Sequence, residues 1–273
     1  MLSVNTNTGA MVALQYLNQT NAHLSQTENE VNTGLKVASA KDDGATFAIA
    51  QDMRGDVAGY SAVTDSLNRG TSAVDVAMSA GQSISDLLIQ MKQQALSASD
   101  QSLSTTDRTA INDEFTALRD QITAIVTNAS FNGFDLIDGS TTQITALASS
   151  DGTQHITVSS QTLTLSALSL SNATISSQSA ASSMIATVET ALTTVDAALS
   201  SLSSGAKKFS IQMSFVSQLS DTVTSGIGNL VDADMATESA QLTALQTKQQ
   251  LGVQALSIAN QSPEIILSLF KGG

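Results

Sequence analysis

The chain has 273 residues, of which 41% are hydrophobic and only 3% aromatic, and it carries a net charge of −13. An acidic chain repels polyanions, and the one adjacent basic pair, Lys207-Lys208, is far smaller than a phosphate-binding stripe, so we expect no nucleic-acid partner. The absence of cysteine excludes disulfides and thiolate metal sites, and no apolar run reaches the ~18 residues that a membrane-spanning helix needs.

Other absences bear on how the chain is made and exported. The first residues lack a basic region followed by an apolar core, so nothing resembles a cleaved secretory signal. A single proline, Pro263, leaves almost the whole chain free to form helix. Two explanations stay open. Either a cytosolic coiled-coil protein has lost its cysteines and prolines by drift, or an exported chain lacks them because disulfide exchange and proline isomerisation would slow its refolding.

The first predicted element is a helix near the N-terminus. Residues at alternating spacings of three and four form one face of this helix, which predicts packing on a partner helix. Two polar side chains, Asn21 and Glu28, interrupt the pattern. We expect the segment to become ordered only when other copies pack around it, with terminal fraying as the alternative. The face comprises Ala10, Leu14, Leu17, Asn21, Leu24, Glu28, Val31 and Leu35.

A stronger pattern of the same period follows from Tyr60 to Ala95. It includes the small residues Gly70, Ala77 and Gly81, which would let helix backbones approach closely. This segment is predicted to be the second helix.

A third helix is predicted from apolar residues between Ile111 and Ile125. Its start is marked by Ser104-Thr-Thr-Asp107, a motif in which side-chain oxygens accept hydrogen bonds from the first free amides of a helix. With a further long helix near the C-terminus, these segments predict an antiparallel bundle.

The middle of the chain is rich in Ser and Thr and almost free of charge. It could be a disordered linker. Alternating apolar residues on both sides of Asp151-Gly152 instead favour a β-hairpin, with Leu163 and Leu165 in a further strand. We expect a small β-region at about residues 131–175.

The longest pattern runs from Ile185 to Leu230 with alternating spacings of three and four, and Ser220 is its only polar position. Such a repeat stays on one side of a helix only when the helix winds around a partner. It predicts one helix of roughly 70 Å at about 1.5 Å per residue, and therefore an elongated, rod-like molecule.

The C-terminal segment repeats the weaker pattern seen at the N-terminus, with Gln249 at one of its positions. The two segments together are predicted to contact other copies of the chain. The residues expected to make these contacts are Leu14, Leu17, Leu24, Val31, Leu245, Leu256, Ile266 and Leu269.

Several separate motifs resemble bacterial flagellins, in the compact form without large outer domains. They are Asn5-Thr-Asn7, residues 33–45 (TGLKVASAKDDGA) with Phe47-Ala-Ile-Ala50, Phe131-Asn-Gly-Phe134, residues 230–238 (LVDADMATE), Ala259-Asn-Gln261 and Leu267-Ser-Leu-Phe270. They occur in both terminal regions and in the order that the family has.

The resemblance implies a structural subunit of the extracellular flagellar filament. Residues 1–42 with 236–273 would form an inner domain of paired terminal helices, and residues 43–235 a helical rod domain with the β-region. The subunit would be exported unfolded through the filament channel and fold at the tip. Implied partners are other copies, an export chaperone, the filament cap, hook-junction proteins and, in an organism that has them, sister flagellins.

Catalytic and metal-binding functions are disfavoured. Neither His23 nor His155 has a second histidine or a carboxylate at ligand spacing, so the zinc-protease motif HExxH is absent. The carboxylate pairs Asp42-Asp43 and Asp232/Asp234 lack a nearby nucleophile, so turn and helix-cap roles are expected. We expect no catalytic residue, no metal and no cofactor.

Two alternatives are non-enzymatic. A hook–filament junction protein shares the terminal helices and usually diverges in the C-terminal motif, which is intact here. An exported adhesin or effector could use coiled-coil surfaces to bind other helices. Electron microscopy separates these possibilities, because only a filament subunit forms long filaments.

Two further expectations follow from the resemblance. Compact flagellins are often O-glycosylated on the outer surface, where candidates are Ser159, Ser160, Thr162, Ser169, Ser171 and Ser177. Many flagellins also bind an innate immune receptor through an arginine, two glutamates and a leucine. Here Lys92 and Gln93 replace the arginine and the first glutamate, whereas Leu96 and Glu114 match. Because lysine lacks the planar fork of arginine and glutamine lacks charge, weak receptor activation is expected.

Overall fold

The computed structural model describes the backbone of residues 6–271 and the side chains of residues 6–261. This part of the chain contains five helices: α1 Thr8–Thr33, α2 Gly44–Ala98, α3 Thr105–Asn128, α4 Gln178–Val231 and α5 Met235–Lys271. It also has four short strands: β1 Ser130–Phe131, β2 Phe134–Asp135, β3 Gln143–Leu147 and β4 His155–Ser159. The predicted mainly α fold with a small β-region is confirmed. None of the described helices combines the length and apolar composition needed to cross a bilayer.

The chain divides into two compact units, which are described separately. Unit 1 comprises the residues up to Gly55 and those from Val223 onward, and unit 2 comprises Asp56–Thr222. Helices α2 and α4 each contribute residues to both units. The functional division into 1–42 with 236–273 and 43–235 stays a prediction.

The core of unit 2 follows the predicted long pattern in α4. The single predicted helix is confirmed as Gln178–Val231. Every seventh residue of its inner face is almost completely buried, and the alternate positions of the pattern, such as Leu192 and Leu199, are half-buried. A seven-residue repeat therefore sets which side of α4 faces the core. The buried series is Val188, Val195, Leu202, Phe209 and Val216.

Helix α2 packs against α4 in the opposite direction. A Cβ atom placed on Gly70 would lie 3.0 Å from the Phe209 ring, and one on Gly81 would lie 2.8 Å from Leu199. Residue numbers thus rise along α2 as they fall along α4. The predicted small residues do allow close approach, because a methyl group at Gly81 would require the Leu199 side chain to move.

Helix α3 begins as its sequence motif predicts. Ser104 is the N-cap, and its Oγ accepts a hydrogen bond from the Asp107 amide at 3.2 Å. Phe115 and Ile122 of α3 are fully buried in the core that α2 and α4 share.

Two antiparallel hairpins form the β-region of unit 2. In the first, Asn132 and Gly133 both have positive φ values, 52° and 83°, as the tight turn between β1 and β2 requires. In the second, Ile144 pairs with Val158 around the predicted Asp151-Gly152 turn. The Ser66 hydroxyl accepts a hydrogen bond from the Leu147 amide at 3.1 Å, which ties this hairpin to α2.

The predicted strand at Leu163 and Leu165 is absent. The Leu163 amide donates to Ile137 O at 2.8 Å, but the chain then turns, with the Leu168 amide donating to Thr164 O. Leu163 is fully buried in the helical core. The alternating leucines here anchor a loop to the core and do not form a β-strand.

Candidate assembly interface

Helix α1 of unit 1 is capped at both ends by side-chain and backbone chemistry. The Asn7 side chain accepts a hydrogen bond from the Ala10 amide, and its Nδ2 donates to Ala259 O at 2.7 Å. At the other end Gly34 adopts φ 71°, and its amide donates to Glu30 O. Glycine tolerates this left-handed conformation without a Cβ clash, so it ends the helix.

Helix α5 runs antiparallel to α1 and forms an extended contact with it, here called the terminal seam. Asn7 contacts Ala259 near one end of the seam, and Leu35 bridges to Asp232 just beyond the other. Between them, Gln249 Nε2 donates to Asn21 Oδ1 at 2.8 Å. These contacts join the two ends of the sequence within unit 1.

The side of α1 that faces α5 differs from the predicted one at alternate positions. Ala13, Thr20 and Thr27 are more buried than Leu14, Asn21 and Glu28, which were predicted to face the partner helix. Asn21 still reaches α5 at the edge of the seam, through its hydrogen bond with Gln249. The predicted and observed patterns share every seventh residue and differ only in which intermediate residue turns inward. The α1 side of the seam is Ala10, Ala13, Leu17, Thr20, Leu24, Thr27 and Val31.

The α5 side of the seam has the predicted pattern through residue 259. It comprises Leu242, Leu245, Gln249, Gly252, Leu256 and Ala259, all of them half-buried. A Cβ atom placed on Gly252 would lie 3.1 Å from Leu17 Cδ1, so glycine makes room for this leucine. The α5 side of the seam is therefore only partly buried within the chain.

Both helices leave large apolar side chains exposed away from the seam. Tyr16 is 66% exposed and Ile258 is 67% exposed. Tyr16 and Ile258 were not predicted from the sequence because they lie off the seam pattern, and a search for apolar residues outside that pattern would have found them. The exposed set is Met11, Val12, Leu14, Tyr16, Leu251, Val253 and Ile258. Large exposed apolar side chains are candidates for contact with other proteins.

The predicted inter-copy contact residues fall into three groups. Leu14 is 46% exposed, and the side chains of Ile266 and Leu269 lie outside the described residues. The remaining five lie in the terminal seam: Leu17, Leu24, Val31, Leu245 and Leu256. Contacts within one chain do not test contacts between copies, so this set stays a prediction.

A short backbone connection, here called the clasp, closes the base of the seam. Val231 O accepts hydrogen bonds from the amides of Lys36 and Val37, at 2.7 Å and 3.2 Å, and the Ala233 amide donates to Gly34 O at 2.9 Å. A small apolar cluster of Val37, Ala50 and Val231 lies beside it. The clasp therefore joins the end of α1 to the start of α5.

Four carboxylates close to the clasp or the seam have distinct environments. The Asp43 and Asp234 side chains cap α2 and α5, and hydroxyl donors from Thr46 and Thr237 hold the pKa of each carboxyl below its usual value. Burial raises the pKa of the Glu238 carboxyl, and the adjacent Glu30 carboxyl raises it further.

Three of the paired aspartates have the expected roles: Asp43 and Asp234 cap helices, and Asp42 forms a turn. Asp42 accepts hydrogen bonds from the amides of Ala38 and Ser39, which shapes the loop before α2.

No group of three potential metal ligands occurs in the described part of the chain. The exposed residues His23 and His155 lie on α1 and β4.

The residues matching the receptor site lie on α2 and α3 of unit 2. Lys92 Nζ is 2.8 Å from Glu189 Oε1 of α4, and Glu114 Oε2 accepts a hydrogen bond from Gln94 at 2.9 Å. Gln93 and Leu96 are exposed. The two charged members of the set are therefore engaged within the chain.

The candidate glycosylation residues run from Ser159, the last residue of β4, to Ser177, the residue before α4. Ser159, Thr162, Ser169 and Ser171 are exposed. Two other hydroxyls have local partners: Ser160 Oγ donates to Thr142 O, and Ser177 Oγ accepts from the Ala180 amide at the start of α4. Ser177 is nevertheless exposed, so Ser160 is the one candidate that is half-buried.

Models of two protein families match the two ends of this chain. The bacterial flagellin N-terminal helical region matches residues 4–142, and the bacterial flagellin C-terminal helical region matches residues 185–270. The chain belongs to the bacterial flagellin family. This flagellin is a structural subunit of the extracellular flagellar filament and not an enzyme.

Similar proteins match along nearly their whole length. The chain is 51% identical over 269 residues to Flagellin FljK of Caulobacter vibrioides, covering 98% of each chain. It is 37% identical over 284 residues to a flagellin of Brucella melitensis, covering all of both chains. A solved structure described as a flagellar hook-associated protein of Vibrio parahaemolyticus has a TM-score of 0.58 at 12% identity, covering 70% of this flagellin and 100% of that chain, which shows likeness of fold alone.

Proposed function

We propose that α1 and α5 of this flagellin hold the filament together by packing their exposed apolar side chains against other copies. The observation that carries this proposal is the apolar set, including Tyr16 and Ile258, that the terminal seam leaves uncovered. A contact between unlike surfaces of identical subunits propagates as an open helical polymer when its rotation does not close a ring, which is the arrangement proposed for this flagellin.

Residues 1–42 with 236–273 are proposed to form the filament core, and 43–235 the domain outside it. The clasp supports this division, because Gly34 and Asp234 mark the end of α1 and the start of α5. We further propose export of the unfolded subunit through the filament channel, with folding at the tip. An export chaperone, the filament cap, hook-junction proteins and sister flagellins are the partners that this route would use.

Replacing Leu14 and Ile258 together by Ser tests the contact between copies. Burying each remaining exposed surface is worth roughly 1 kcal/mol, so the monomer concentration needed for assembly should rise at least about tenfold. Sedimentation of filaments against soluble protein measures this concentration. The matched control is Ile89→Ser, which removes an apolar side chain of similar exposure (54%) from α2. Equal effects of the control and the double variant would contradict the assignment.

Weak activation of the flagellin receptor is proposed from the remnant site. The double substitution Lys92→Arg with Gln93→Glu restores the planar guanidinium and the carboxylate charge of the receptor-binding motif. It should raise signalling about ten- to a hundredfold, since charged hydrogen bonds contribute roughly 1–3 kcal/mol. Monomeric protein applied to receptor-reporter cells provides the measurement. Gln90→Glu adds an equivalent charge at another exposed position of α2 and should leave signalling unchanged. Wild-type signalling by the double variant would show that positions 92 and 93 do not control recognition.

We propose O-glycosylation on the loop between β4 and α4. Its exposed hydroxyls, including Thr162 and Ser171, lie outside regular structure where an enzyme can reach them. The intact mass of protein from native filaments should therefore exceed the 28.1 kDa of the bare chain. Protein made in a host without flagellar glycosylation is the control, and a native mass equal to that of this control would contradict the proposal.

A further inference from the structure

The tight turn of the first hairpin carries a chemically labile pair of residues. Asn132 and Gly133 occupy the two positions between β1 and β2, and both are exposed. Asn132 is the only asparagine of the sequence that precedes a glycine. Asparagine in this position is labile, because the following glycine has no side chain to shield its amide nitrogen.

An asparagine before glycine loses its side-chain amide without an enzyme. The Gly133 nitrogen gives up its proton and attacks Cγ of Asn132. The bond from Cγ to the side-chain nitrogen breaks, and that nitrogen takes up a proton and leaves as ammonia. A five-membered succinimide ring remains, and water opens it at either carbonyl to give aspartate or isoaspartate. The reaction consumes water, releases ammonia and involves no oxidation or reduction.

Both reacting groups are unhindered in the structure. A Cβ atom placed on Gly133 would meet no heavy atom within 4 Å, so the space beside this residue is open. The Gly133 amide donates no hydrogen bond within the described part of the chain. The Asn132 side chain also forms none there, so nothing holds its amide in one rotamer. The Asn132 amide is therefore free to turn toward the Gly133 nitrogen.

Two comparable turns hold the side chain that precedes their glycine. In Asp138-Gly139 the Asp138 carboxylate accepts a hydrogen bond from the Ser140 amide at 2.7 Å. In Asp151-Gly152 the Asp151 carboxylate accepts one from the Thr153 amide at 3.1 Å. An ionised carboxylate is also a poor target for a nucleophile, since its oxygens already carry negative charge. Asn132 combines the reactive amide with an unrestrained side chain.

Ring closure requires the turn to open transiently. A succinimide ring holds the asparagine backbone in a conformation that differs from the left-handed one of this turn, in which Asn132 has φ 52°. Only two residues of each strand pair in this hairpin, Ser130 with Asp135 and Phe131 with Phe134. A ladder this short opens locally at small cost. We therefore expect the reaction in the folded protein, more slowly than in an unfolded chain.

We propose that Asn132 is a site of spontaneous deamidation in this flagellin, and that the products change the charge and the main chain of the first hairpin. The reaction requires no enzyme and no second copy, so it is independent of the proposed contacts and of the proposed glycosylation. It takes place within unit 2 of a single chain.

The two products have different consequences for the hairpin. Asn132 lines a cavity of about 290 Å³ together with Arg69 of α2, which forms no ion pair with an acidic side chain in the described residues. Aspartate would add a negative charge near this cation, and an Asp-Gly turn retains the hairpin. Isoaspartate adds a methylene group to the main chain, so Phe131 and Phe134 can no longer pair in the same register.

Peptide mapping by mass spectrometry measures the modification. Full-length monomer is held in mildly alkaline buffer in which circular dichroism shows that it is folded, and samples are digested at acidic pH, where the reaction is slow. The peptide that contains Asn132 should gain about 1 Da. Asn172 is the internal control, because it is exposed in a loop but precedes alanine. Asn132 should react at least about tenfold faster than Asn172, and isoaspartate-specific enzymatic methylation should detect one of the two products.

Gly133→Ala tests the role of the attacking nitrogen. The added Cβ shields this nitrogen, so the reaction at Asn132 should slow by at least about tenfold. Alanine at φ 83° also strains the turn and favours its opening, which would accelerate the reaction, so slowing can be assigned to shielding. An unchanged or faster reaction in this variant would overturn the proposal. If the variant does not fold, the wild-type comparison decides, and equal rates at Asn132 and Asn172 would overturn the proposal.

Discussion

Removal of residues 241–273 is expected to leave a soluble, helical monomer that no longer polymerises. Unit 2 keeps its own core, because its fully buried residues, such as Phe115 and Leu202, contact neighbours within Asp56–Thr222. Helix α1 would lose the partner that supplies the seam. The proposed contact surface on α5 would be removed with the deleted residues. The proposed contact surface on α1 would be lost because α1 would no longer have α5 to pack against.

Sedimentation and electron microscopy would measure assembly, and circular dichroism would measure helix content. The full-length protein purified in the same way is the control. Long filaments formed by the truncated chain would contradict the assignment of assembly to the terminal helices. Loss of most of the helical signal would contradict the independence of unit 2.

The sequence predicted the long helices because their repeats are uninterrupted. In α4, residues seven apart from Val188 to Val216 are all apolar, and each is almost completely buried. Such a repeat has one solution, since only one face can be turned inward. The Asp151-Gly152 hairpin was predictable for a similar reason: alternation on both sides fixes which residues pair.

The weaker pattern of α1 allowed two solutions. Residues 10, 17, 24 and 31 belong to both patterns. Between residues 10 and 17, the inward position can be filled either by Leu14, as predicted, or by Ala13, as observed. Hydrophobicity alone favours Leu14 as the inward residue, but in the structure the smaller Ala13 is the more buried of the two. The more apolar residue, Leu14, then remains exposed.

The clasp could not be read from spacing, because its two sides lie about two hundred residues apart. Only the antiparallel pairing of α1 with α5 brings them together. Motif resemblance located the regions around residues 33–45 and 230–238 but not the contact between them.

Phe209→Ala is expected to lower the free energy of unfolding of unit 2 by about 3–5 kcal/mol. Phe209 is fully buried, and its ring lies over Gly70 of α2. Glycine has no side chain to fill the vacated space. The matched control is Phe215→Ala on the same helix: this ring is 55% exposed, so in monomeric protein its loss should change stability by no more than about 0.5 kcal/mol. Urea unfolding measures both, and similar losses would contradict the packing described.

Gly70→Ala tests the same contact from the opposite helix. In the wild type, the added Cβ would meet the Phe209 ring at 3.0 Å, which offsets the gain of about 1 kcal/mol that alanine brings to a helix. In the Phe209→Ala background that clash is gone and the methyl group fills part of the cavity. The substitution should therefore stabilise the variant more than the wild type, by about 1 kcal/mol or more. An equal effect in both backgrounds would mean that Gly70 and Phe209 are not in contact.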